Sequence, residues 1–98
     1  MRELFNKNRL WERLQENEFT SFILESRVAP ATAGEPAGTL SQMVSYRDLD
    51  SNEIARVHQY LRADGSIGGS GKPDPKRVFI EGILYRLVKG QSPKSVLE

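Results

Sequence analysis

Cysteine is absent from this 98-residue chain, and histidine occurs once, at His58. The first absence excludes disulfides, a thiol nucleophile and any thiolate-held zinc or iron–sulfur site. The second removes histidine-rich metal sites, and the Asp and Glu residues are not clustered as an all-carboxylate site requires. No metal and no cofactor is therefore expected. Long apolar runs are missing too. No stretch approaches the roughly 20 residues that span a bilayer, and Met1-Arg2-Glu3-Leu4-Phe5-Asn6 is too polar for a signal peptide. These features predict a cytoplasmic protein with no membrane partner. The closing Leu97-Glu98 is expected to be a remnant of cloning and carries no functional argument.

What is present is ordinary for a small globular protein: 38% apolar and 28% charged residues. The length suits a single domain with one core and little stability to spare. Net charge is only +1, yet it is unevenly spread. Residues 31–66 carry three arginines against five carboxylates, whereas residues 67–98 carry six cations against three carboxylates. The basic second half suggests a modest anion-facing patch, far short of a strongly basic nucleic-acid binder.

Leu4, Leu10, Trp11, Leu14, Phe19, Phe22 and Ile23 recur at helical spacing, which predicts helix over residues 3–26. Asn17, a good N-cap, divides it into two pieces in one version of this reading. Residues 30–38, with two prolines, two glycines and three alanines, read as a flexible connection. From Thr39 the period changes to two. Leu40, Gln42, Val44 and Tyr46 share one strand face, and Ser41, Met43, Ser45 and Arg47 the other. A turn is expected at Asp48 to Asn52, then a strand from Glu53 to Arg62. Pairing Val44 with Val57 unites Leu40, Val44, Tyr46, Ala55, Val57 and Leu61 on one apolar face and turns His58 outward with Arg56 and Tyr60.

Asp64-Gly65 signals a two-residue hairpin turn into a short strand at Ser66 and Ile67. Gly68 to Pro75 reads as a loop, because glycine and proline disrupt a central strand. The runs Val78 to Ile80 and Ile83 to Val88 form either a hairpin about Glu81-Gly82 or one continuous strand. The predicted fold is thus α+β: one or two N-terminal amphipathic helices on one face of a three- to five-stranded antiparallel meander over 39–88, with a tail over 89–98.

Few motifs carry chemistry. Gly71-Lys72 fails the phosphate-loop pattern, since Ser66 stands where its first glycine belongs and Pro73 where Ser or Thr belongs. Gly69-Ser70-Gly71 likewise leads into Lys72-Pro73-Asp74 instead of a helix. His58 is the best proton-transfer candidate. With Arg47, Arg56, Tyr60 and Lys76 it supplies the groups of a metal-independent ribonuclease: a base or acid, and cations for the phosphorane. Helices followed by an antiparallel sheet resemble, in order of elements only, the small toxin-type ribonucleases related to barnase and the bacterial RelE toxins. No residue role follows from that likeness.

The same residues also suit the polar outer face of any half-covered sheet. Without a complete catalytic set, the leading expectation is a non-enzymatic interaction or accessory module. It would bind another protein through the exposed sheet face or through a stiff, exposed segment Lys72-Pro73-Asp74-Pro75-Lys76. A toxin-like ribonuclease using His58 is the alternative, and weak nucleic-acid binding without catalysis is a third reading. Uncovered strand edges also permit a homodimer.

Overall fold

The computed structural model describes residues 1–86 together with Lys94–Ser95. Two six-residue helices, α1 (Arg2–Lys7) and α2 (Leu10–Gln15), precede the strands β1 (Thr20–Val28), β2 (Leu40–Arg47), β3 (Glu53–Leu61), β4 (Asp74–Ile80) and β5 (Ile83–Arg86). Every strand pairs antiparallel with the next, so the protein is α+β with an open meander. A two-residue strand β6, Lys94–Ser95, pairs with β5 where the sequence predicts a tail. The proposed cloning remnant Leu97-Glu98 and the end of the predicted last strand at 87–88 lie outside the described residues.

The register expected for the central hairpin is the one observed. Val44 pairs with Val57, Leu40 with Leu61 and Tyr46 with Ala55. Val44, Tyr46, Ala55, Val57 and Val78 are buried with Phe5, Leu10 and Phe19, so the helices cover this inner face. Trp11 and Leu14, the predicted anchors, only flank that core. The fully buried helical anchors are Phe5 and Leu10, whose spacing works because the helix is broken between them. Arg9 adopts φ +54°, and Asn8 closes α1 by donating from its side-chain amide to the Leu4 carbonyl at 2.9 Å. Nothing in an arginine announces left-handed backbone.

The largest correction concerns residues 17–26. Helix is predicted there, but Asn17 takes φ +65° and the chain leaves as β1. Asn17 therefore marks a break, as expected, without starting a second helical piece. Ile23 pairs with Val44 and Glu25 with Met43, leaving Leu24 as the extra residue of a bulge. Apolar Phe22 on the outer face and Ile23 on the inner face already blur the two-residue alternation before that bulge, so with Phe19 they imitate helical spacing in the one-dimensional pattern. Phe22 lies on the opposite face from the core, partly exposed, with the Arg47 guanidinium 4.5 Å from its ring centre.

Turns behave largely as their residues dictate. The Asp48 carboxylate accepts from the backbone N–H groups of Asp50 (2.9 Å) and Asn52 (3.0 Å), so this side chain is occupied in shaping the β2–β3 turn. Asp64-Gly65 does reverse the chain, but through the three residues Ala63-Asp64-Gly65: Gly65 N–H donates to Arg62 O, and Arg62 N–H to Ser66 O. Gly65 at φ +88° closes that longer loop, and one ladder pair, Leu61 with Ile67, follows. Glu81-Gly82 is a two-residue hairpin turn with both φ angles positive, which resolves the β4–β5 alternatives in favour of a hairpin.

Candidate functional site

Sheet register determines which side chains meet on the outer face. One row runs from Phe22 through Ser45, Arg56 and Arg77 to Arg86. The next runs from Glu25 through Met43 and His58 to Asp74, and beyond it lie Arg27, Ser41 and Tyr60. Between β3 and β4 the pairing passes from Arg56–Arg77 to Val57–Pro75. Lys76 is therefore the extra residue of a second bulge, which re-aims it toward Asp74. Its Nζ donates to Asp74 Oδ2 at 2.9 Å.

These rows gather the predicted site residues into two neighbouring groups. His58, Tyr60, Lys72, Asp74 and Lys76 line one cleft of about 570 Å³, together with Met43, Arg2 and the Gly68–Ser70 backbone. The His58 and Tyr60 rings meet edge to face at 4.8 Å, and Ser41 Oγ lies 2.8 Å from His58 Nε2. Burial lowers the His58 pKa, the Lys76 charge lowers it further, and Asp74 opposes both. The imidazole is thus predominantly neutral at neutral pH. Burial pushes Asp74 upward, but hydrogen bonds from Arg2 (2.9 Å) and Lys76 outweigh it and hold the carboxyl below the usual range.

Arg47 and Arg56 belong to the second group, centred on Glu53. Ser45 Oγ donates to Glu53 Oε2 at 2.6 Å and Arg56 Nε to the same oxygen at 3.1 Å, while Arg77 reaches Oε1 at 3.5 Å. Arg47 Nε donates to Ser45 Oγ at 3.2 Å. Burial raises the Glu53 pKa, and these donors and the Arg56 and Arg77 charges more than reverse it. Neither Arg47 nor Arg56 lines the cleft of His58, so the five predicted catalytic side chains share a face but not a pocket.

The predicted exposed segment at 72–76 is corrected. Pro73 and Pro75 are buried, and Asp74 onward is strand, since β4 must seal the inner face through Pro75 and Val78. Of that segment only Lys72, Asp74 and Lys76 reach the surface, Lys76 paired with Asp74 and Lys72 with Glu12 at 3.4 Å. The residue that fixes the glycine loop beside them lies in the alanine-rich connection, where the sequence carries no functional signal. Glu35 accepts from Arg62 Nε at 2.8 Å and from Gly69 N–H at 3.1 Å. A Cβ on Gly68 would sit 2.5 Å from Glu35 Oε1, so a side chain there would push the Glu35 carboxylate away from the loop it holds. Arg2 is equally hidden in the sequence, 72 residues from the Asp74 it binds.

Among the described residues no three His, Asp or Glu side chains gather as metal ligands, and no helix is long and apolar enough to cross a membrane. Comparison with protein-family models, curated proteins and solved structures found nothing that matches this chain.

Proposed function

We propose that the chain is a non-enzymatic binding module that holds single-stranded nucleic acid across the outer sheet face, with the His58 cleft at its centre. One observation carries this reading. Residues 1–86 contain twelve Lys and Arg and twelve Asp and Glu, hence no net formal charge. Arg27, Arg47, Arg56, Lys76, Arg77 and Arg86 nevertheless share the outer face, and Arg2 and Lys72 border it, against only Glu25, Glu53, Asp74 and the Glu12 paired with Lys72. That is an excess of four positive charges on one face and of four negative charges elsewhere. Linear composition hides such a separation, and a polyanion responds to it.

Aromatic groups support the choice of ligand. Tyr60 and His58 at the cleft, with the partly exposed Phe79 further along the sheet, offer π surfaces on which unpaired bases stack, while the cations follow the backbone. A broad sheet face accepts a splayed single strand more readily than it enters a duplex groove. This reading keeps the expected use of the sheet face but replaces the expected protein partner, because the buried prolines remove the stiff loop as a recognition element.

Fluorescence anisotropy with labelled single-stranded RNA, single-stranded DNA and duplex across a salt series tests the proposal. Log affinity for single strands should fall linearly with log salt, by about 0.7 per phosphate neutralised. Lys72→Ala and Lys76→Ala should each weaken binding for all sequences and reduce that slope by roughly one contact. Salt-insensitive binding would reject the reading, and so would failure of every oligonucleotide with capture of an acidic protein instead.

A second reading, the metal-independent ribonuclease, is favoured by the meeting of His58, Tyr60, Lys76 and Arg2 in one cleft. A neutral His58 suits removal of a 2′-hydroxyl proton, with Lys76 and Arg2 beside the developing phosphorane charge. RNA cleavage in EDTA that His58→Ala abolishes supports it; cleavage that survives this substitution assigns the activity elsewhere. A cytoplasmic location, where single-stranded RNA is at hand for either activity, is part of the proposal.

A further inference from the structure

We propose that β1 is a self-association edge. Two copies pair β1 against β1 in antiparallel fashion about a two-fold axis at Ser26, joining their sheets into one. Strand β1 is the outermost strand at its end of the sheet, bonded to β2 on one side, and all nine of its residues are exposed. An edge of that length presents unpaired backbone donors and acceptors to any matching strand. Exposed apolar side chains stand along it beside the charged Glu25 and Arg27: Ile23, Leu24 and Val28 are 59%, 43% and 75% exposed. No proline interrupts it before Pro30.

Charge and side-chain parity select a second copy as the occupant and specify its register. Opposed residues in a ladder point to the same face, so Glu25 and Arg27, both on the outer face, can oppose only outer-face residues. An axis at Glu25 or at Arg27 would set like charges against each other. An axis at Leu24 would oppose the outer-face Glu25 to the inner-face Ile23, which parity forbids. With the axis at Ser26, Glu25 of each copy faces Arg27 of the other, and Leu24 faces Val28 twice. The strand is thereby complementary to itself, ionic on one face and apolar on the other. Within one chain Glu25 and Arg27 already form an ion pair, so the dimer extends it to an alternating set of four charges. The axis is perpendicular to the sheet and leaves both cationic faces on the same side. This pairing holds whatever those faces bind.

The test is solution mass by sedimentation and light scattering over a concentration series, using the full chain. Wild type should shift from monomer to dimer as concentration rises. Glu25→Arg and Arg27→Glu should each weaken association about ten-fold, because two symmetric pairs turn from attraction to repulsion. Mixing these two single variants should restore the dimer, because one then carries two cations on its outer edge and the other two carboxylates, so both cross-strand pairs join opposite charges. Circular dichroism of each variant shows whether it remains folded, and the mixing arm separates lost pairing from lost folding. A wild type that stays monomeric to its solubility limit overturns the proposal, as does a dimer indifferent to both substitutions or one that mixing fails to restore.

Discussion

On the helix-covered side of the sheet, Val44, Tyr46, Ala55, Val57 and Val78 are sealed beneath Phe5 and Leu10; on the other side the same strands hold Arg47, Arg56, Lys76 and Arg77 around Glu53 and Asp74. Alternation along each strand makes both faces from one set of residues, so neither can slip by one position without ruining the other. The inner face is held by apolar burial, which is indifferent to salt and weakly dependent on pH. Partly solvated ion pairs hold the outer face, and they depend on both. Stability is thus assigned to one side of a single layer and the proposed ligand binding to the other.

The sharpest way to break this comparison is to truncate one aromatic from each side. Phe5→Ala empties a fully buried site and should cost about 3–5 kcal/mol, a large share of the roughly 5–15 kcal/mol that holds a small domain together. Phe22→Ala, on the outer face beneath Arg47, should cost about 1 kcal/mol or less. Urea denaturation midpoints read both. Equal losses would mean that the outer face is a second core, and the division of labour would fail.

A smaller effect belongs to the outer face itself. Glu53→Gln leaves Arg56 and Arg77 without their shared counter-charge and should destabilise by about 1–2 kcal/mol at neutral pH. The folded carboxyl titrates below its ordinary value of 4.5, so its contribution is present above that pH and lost as pH falls through the lower folded value. Wild type and variant should therefore converge in acid. A gap of constant size from pH 7 to pH 3 would show that packing, not charge, is what Glu53 supplies.

The central hairpin is legible from its residues. Alternation from Leu40 to Tyr46 and from Ala55 to Leu61 is unbroken, the Asp48 turn has its Asx chemistry, and one register brings Val44, Tyr46, Ala55 and Val57 together on the buried face. Strand β1 is not legible, because the bulge at Leu24 offsets its alternation and three aromatic or branched residues fall into helical spacing. The broken helix escapes notice because its left-handed hinge is an arginine. For the site, His58, Tyr60, Arg47 and Arg56 can be read from the sequence because the hairpin register positions them. Arg2 and Glu35 cannot, since each depends on contacts between segments that no local pattern connects.

The smallest expected effect tests how closely the cleft is linked to ligand charge. Burial and Lys76 keep His58 less protonated than a free imidazole, and a phosphate beside it would favour the proton that this environment resists. Binding then takes up a proton, and affinity for single strands should rise as pH falls below the ordinary histidine value of 6.5. With no ligand the sign reverses, because the unfolded chain takes the proton first and stability declines over the same interval. His58→Gln should flatten both curves and, because a stacking ring is lost, weaken binding already at pH 8, a pattern that anisotropy and thermal melting at matched ionic strength can resolve. If the variant's affinity still climbs in acid as the wild type's does, the proton is taken up elsewhere and the cleft is not where the phosphate lies.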